Sequence, residues 1–125
     1  MRKIMIIEDD LDVIKVLHKR LTQQDFEVMV AQDAYQGIAL IHKNIPDLII
    51  LDLMLPAGGG QAVLKNIKLS NQVKYIPIIV LTGVTDPEYK KKVLSDGVDA
   101  YIEKPYDPDN LTATINGLLN KPRIE

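Results

Sequence analysis

Cysteine is missing altogether from this 125-residue chain. That excludes a disulfide framework, a thiolate metal site, a cysteine nucleophile and a CxxC redox pair. A basic excess is missing too: 15 Lys and Arg stand against 17 Asp and Glu, a formal net charge of −2. Counterion release on a phosphate backbone needs clustered positive charge, so no direct nucleic-acid partner is expected. Long apolar runs are equally absent. Ile4-Met5-Ile6-Ile7 stops against Glu8-Asp9-Asp10, which leaves no secretory core, and nowhere do about 18 apolar residues follow one another as a membrane-spanning helix requires. The expectation is a cytoplasmic protein without membrane contact.

A composition of 46% hydrophobic and 26% charged residues fits one compact domain. Short β-rich runs recur at Ile4–Ile7, Val28–Ala31, Leu48–Leu51, Ile78–Leu81 and Ala100–Ile102, each bounded by polar or turn-forming residues. Between them the apolar period changes to that of a helix: Ile14, Leu17 and Leu21; Ala34, Ile38 and Ile41; Val63, Leu64 and Ile67; Tyr89, Val93 and Leu94; Leu111, Ile115 and Leu118. Pro46-Asp47, Pro77, Asp96-Gly97 and Asp107-Pro108 punctuate the same alternation. Five strands alternating with five helices predict an α/β doubly wound fold, a five-stranded parallel sheet with helices on both faces. The expected layout is one domain over residues 1–120 and a short tail over 121–125, with no effector domain.

Ligands of such sheets bind beyond the carboxyl ends of the strands. There the first strand delivers Glu8, Asp9 and Asp10, with Asp12 close behind; the third delivers Asp52, the fourth Thr82-Gly83 and the fifth Lys104-Pro105. Glu8-Asp9-Asp10 taken alone reads equally well as a solvated loop leading into an acidic helix start. Asp52 is harder to explain that way. It closes the buried run Leu48-Ile49-Ile50-Leu51, where a charge should be paired, metal-bound or reactive. Gathered carboxylates repel one another, and a hard divalent cation with oxygen ligands relieves that cost.

The motifs Ile6-Ile7-Glu8-Asp9-Asp10, Pro46-Asp47-Leu48-Ile49-Ile50-Leu51-Asp52-Leu53-Met54-Leu55-Pro56, Val80-Leu81-Thr82-Gly83 and Tyr101-Ile102-Glu103-Lys104-Pro105 together resemble the receiver domain of two-component response regulators. The resemblance runs from Lys3 to about Leu119. It implies the flavodoxin-like (βα)5 fold with strand order 2-1-3-4-5. It further implies that Asp52 is a phosphoacceptor, loaded by a sensor histidine kinase or a histidine phosphotransfer protein. Mg2+ or Mn2+ would be held by Glu8, Asp9, Asp52 and the backbone carbonyl of Met54. Lys104, the Thr82 hydroxyl and the Gly83 N–H would meet the phosphoryl oxygens, and Lys104-Pro105 would be a cis bond. Tyr101 would turn inward after Thr82 is drawn to the phosphoryl group, switching the surface of the fourth helix, fifth strand and fifth helix for a downstream output protein or domain. The chain would be a monomer or a phosphorylation-dependent dimer, catalysing only its own phosphorylation and slow dephosphorylation.

Three departures from the family pattern stand out. Glu8 replaces the commoner Asp, Gly83 a common Ala, and Ala57-Gly58-Gly59-Gly60 a bulky residue followed by Asp-Gly. The glycine run predicts a loop with added backbone freedom. Met54 and Val84, two residues beyond Asp52 and Thr82, stand where side chains in the resembling family influence access of the hydrolytic water; both are apolar and cannot orient a water, which predicts a long-lived phosphoryl state.

Rival readings lack residues. No G-x-G-x-x-G or G-x-x-x-x-G-K-[ST] follows the first strand, and a flavodoxin would not face a phosphate with four acids. A haloacid-dehalogenase-like phosphohydrolase or a Toprim-like nuclease needs a second carboxylate two residues on, where Met54 stands. A binding module of the same fold that is never phosphorylated remains an alternative. His18 and His42 read as partly solvated helix side chains, and Lys90-Lys91-Lys92 as a solvated helix face.

Overall fold

Each of the five short β-rich runs of the sequence is a strand in the computed structural model, which describes residues 1–121. The strands are β1 (Lys3–Ile7), β2 (Glu27–Ala31), β3 (Leu48–Leu51), β4 (Ile78–Thr82) and β5 (Ala100–Glu103). They alternate with α1 (Leu11–Gln23), α2 (Ala34–Lys43), α3 (Gly59–Leu69), α4 (Pro87–Ser95) and α5 (Pro108–Leu119). The strands form one parallel sheet in the order β2-β1-β3-β4-β5. Ile7 lies opposite both Ala31 and Leu51, and Leu51 opposite Val80, so the residues that follow these strands come out along one rim. Beyond Lys121, the expected tail lies outside the described residues.

Alternate strand residues feed two cores. Met5, Ile7, Ile49, Leu51, Ile78 and Val80 face α2, α3 and α4 through Ile41, Val63, Leu64, Ile67 and Val93. Ile4, Ile6, Leu48, Ile50, Ile79 and Leu81 face α1 and α5 through Leu17, Leu21, Leu111, Ile115 and Leu119. Coverage on both faces is why β3 reads as unbroken apolar sequence. Each such aliphatic side chain contributes about 1.5–3 kcal/mol by leaving water.

Aspartates organise the chain's turns. Asp10, Asp33, Asp86 and Asp107 cap the N-termini of α1, α2, α4 and α5, each accepting a backbone N–H of the first turn. Asp47 and Asp99 do a matching job at the sheet's opposite end. Their carboxylates accept the N–H of Lys3 at 2.7 Å and of Ile78 at 2.8 Å, and their own N–H groups bond the carbonyls of the same two residues.

Two expectations about packing change. Leu94 is 39% exposed, because short α4 buries only Val93 fully and Leu94 points away from that face. At the end of α5 it is Leu119 that is buried, with Leu118 half-buried. Part of the glycine run has a packing role. After the turn Pro56–Gly58, Gly58 takes φ +71°, while a Cβ on Gly60 would stand 2.4 Å from the Leu53 Cα and carbonyl oxygen. Gly60 is glycine because α3 starts in direct contact with the strand end that carries Asp52.

Candidate functional site

The rim of the sheet gathers the residues that the sequence singled out. Glu8 follows β1, Asp52 follows β3, Thr82 ends β4 and Lys104 follows β5. Glu8 is 3% exposed, Asp52 7% and Thr82 fully buried, while the rest of the buried set is apolar. Each of these polar groups is partnered, as burial demands. The Lys104 ammonium donates to Asp52 Oδ2 at 3.0 Å and to Glu8 Oε1. Asp52 Oδ1 accepts the Met54 N–H at 2.9 Å, and Glu8 Oε2 accepts the N–H groups of Asp9 and Asp10 at 2.9 and 3.2 Å. With an oxygen held on each side, the Asp52 carboxylate cannot rotate freely.

Burial pushes the Glu8 carboxyl above its usual value, against the pull of Lys104 and the Asp10 N–H, with Asp52's charge pushing the same way as burial. For Lys104 burial acts downward, yet the hydrogen bonds and charges of Glu8 and Asp52 outweigh it and the ammonium is held above its ordinary value. The lysine is therefore a permanent cation between two buried carboxylates.

Carboxylate oxygens of Glu8, Asp9 and Asp52 lie within 4.8 Å of one another, with Asp9 exposed. Three hard oxygen donors at that spacing suit a small divalent cation that keeps some of its water. No softer donor is among them. The residues present thus fit the expected cation, and the open side of the cluster is the one Asp9 occupies.

The other expected residues fall nearby. The Lys104–Pro105 bond is cis, and the Lys104 N–H bonds the Thr82 carbonyl at 2.8 Å, tying β5's end to β4's. Thr82 Oγ1 accepts from the Val84 N–H at 3.5 Å. Gly83 is exposed, and a Cβ there would touch nothing within 4 Å, so glycine is not required at that point. Tyr101 is in the inward position: it is buried, and its hydroxyl donates to the Val84 carbonyl at 2.8 Å. Met54 projects outward at 59% exposure.

A model of the response regulator receiver domain matches residues 4–116. The chain belongs to that family. This receiver is 32% identical over 120 residues, 96% of its length, to the phosphate regulon transcriptional regulatory protein PhoB of Escherichia coli, covering 52% of that protein. It spans about half the length of the curated relatives it matches. Among solved structures it superposes on the BeF3-activated N-terminal receiver domain of Klebsiella pneumoniae RstA with a TM-score of 0.87 at 28% identity, covering 96% of this chain and 100% of that one. The non-phosphorylated HemR receiver domain of Leptospira biflexa matches with a TM-score of 0.90 at 25% identity, over 100% and 99%. The chain is a signalling receiver domain of the two-component class, and its five-stranded order 2-1-3-4-5 is the receiver fold.

Sequence reasoning missed three contacts in this receiver. It did not foresee that Glu8 shares Lys104 with Asp52, that Val84 lends its carbonyl to Tyr101, or that Lys90 stands over the Tyr101 ring, its Nζ 5.8 Å from the centroid. The first had a visible signal, since Glu8 and Asp52 each directly follow an apolar run, and the others depend on loop geometry. His42 is half-buried, the partly solvated position its place in α2 predicted, and its Nε2 meets Asn66 Oδ1 at 2.9 Å, linking α2 to α3.

Proposed function

We propose that Asp52 is the phosphoacceptor of this receiver, taking a phosphoryl group from the phosphohistidine of a sensor kinase or phosphotransfer protein. The observation that carries the assignment is a buried carboxylate oriented on both oxygens, beside a permanent ammonium and an acidic cluster. An Asp52 oxygen forms the new bond to phosphorus as the P–N bond breaks, and the electron pair of that bond returns to the imidazole. Transfer of this kind has a loose transition state, so the protein's work is positioning and charge stabilisation. The Met54 N–H fixes the nucleophile, the Lys104 ammonium neutralises one phosphoryl oxygen, and the Thr82 hydroxyl with the Gly83 N–H receives another. Glu8, Asp9, Asp52 and the Met54 carbonyl are the groups that would hold Mg2+ or Mn2+. When bound, the cation offsets negative charge on the third phosphoryl oxygen.

Thr82, Val84 and Tyr101 are joined by hydrogen bonds, so a pull on the Thr82 hydroxyl reaches the α4–β5–α5 surface through this chain of contacts. That surface would read out to a downstream protein or domain, in a monomer or a phosphorylation-dependent dimer. By family reading the receiver is cytoplasmic and occupies residues 1–120, and among the described residues no helix is long and apolar enough to cross a membrane. The test is incorporation of one phosphoryl group from acetyl phosphate: it should require Mg2+ and cease with EDTA. Metal-independent labelling would overturn the reading.

A further inference from the structure

Lys90 extends from α4 to the outer face of the Tyr101 ring, with Nζ 5.8 Å from the centroid. It lines an open hollow of about 320 Å³ together with Tyr101, Glu103, Asp107 and Asn110. Two acids border that hollow, yet among the described residues Lys90 makes no ion pair within 4.0 Å. Its cation goes to the ring's π-face instead, a distance within the attractive range. The other side of Tyr101 packs in the core that includes Val93 of α4, and its hydroxyl is bonded to Val84 in the β4–α4 loop. The ring is thus held at its outer face, its inner face and its tip, and the first and last of these holds come from the loop and helix that follow Thr82.

We infer that Lys90 is a positioning residue, which clamps Tyr101 in the inward position and through its hydroxyl steadies the loop carrying Thr82, Gly83 and Val84. The inference deepens the proposed switch, but it concerns a ring position that is measurable with no phosphoryl donor. Its failure and that of the phosphoacceptor assignment are therefore separable. A half-exposed cation–π contact corresponds to about a two- to fivefold bias between inward and outward rings.

The experiment is the rate of nitration of Tyr101 by tetranitromethane in the unphosphorylated full chain, read by peptide mass spectrometry. Lys90→Met keeps the apolar stem and removes the charge, and should speed Tyr101 nitration about two- to fivefold. Lys90→Arg should restore the parent rate, since a guanidinium also binds the ring face. Lys91→Met, on exposed α4 surface, should leave the rate unchanged. A parent rate in Lys90→Met, or an equal acceleration in Lys91→Met, would overturn the inference.

Discussion

Replacing Lys104 by methionine isolates the charge that holds the site together. The lysine side chain is 23% exposed, and the side chains of Glu8 and Asp52 that it joins are 4% and 9% exposed. Removing one member of a buried pair strands the others, at a cost of about 3–5 kcal/mol for full burial. Partial exposure of Lys104 and the surviving N–H bonds to Glu8 and Asp52 place the expected loss at the lower end, about 3 kcal/mol near neutral pH. The loss must depend on pH in a definite direction. Glu8's folded-state value is raised above 4.5, so its ionisation costs stability as pH rises through that value toward the folded one. Without Lys104 the folded value moves further up, and the cost grows. Lys104 itself is raised above 10.5, so its contribution is fully present below that value and is lost only as pH climbs through the higher folded one. The gap between parent and Lys104→Met should therefore be wide near neutral pH and narrow near pH 4.5, where Glu8 can take a proton instead. Urea unfolding with EDTA at both pH values reads it directly. Equal gaps, or a neutral-pH gap below about 1 kcal/mol, would refute the reasoning.

Three further outcomes follow from the same geometry. Gly60→Ala should cost about 3 kcal/mol or more in urea unfolding, since its Cβ meets Leu53 backbone at 2.4 Å, whereas Gly83→Ala, with nothing within 4 Å, should leave stability unchanged; equal effects would contradict the close approach. Asp9→Asn should weaken Mg2+ binding at least tenfold by calorimetry while raising the metal-free melting temperature slightly, because an exposed acid leaves a crowded negative site; a lower metal-free melting temperature would count against that account. With Met54 exposed and Val84 lending only backbone bonds, neither side chain can orient a water, so label on Asp52 should persist well beyond seconds.

Much of this receiver was legible from its residues. The unbroken run Leu48–Leu51, bounded by Pro46-Asp47 and Asp52, reads as a strand covered on both faces, and the acid after it then lies at the rim, because a parallel sheet brings all carboxyl ends to one side. Punctuation such as Asp107-Pro108 became a cap and first helical residue as written. What escaped depends on three-dimensional closeness. Gly58-Gly59-Gly60 looks like slack in one dimension, and only the contact with Leu53 shows that Gly60 is a packing requirement. Leu94 sits next to buried Val93, but on a nine-residue helix with one fully buried residue it is left partly uncovered. The Glu8–Lys104–Asp52 triad joins three strands in space, and no spacing along the chain announces which acid shares the lysine.

The assignment of Asp52 is tested most directly by finding where the phosphoryl group goes. After incubation with acetyl phosphate and Mg2+, borohydride reduction converts an aspartyl phosphate into homoserine, and peptide mass spectrometry locates it. The account predicts the change at residue 52 alone and none in Asp52→Asn. Conversion at another residue, or undiminished labelling of Asp52→Asn, would contradict it.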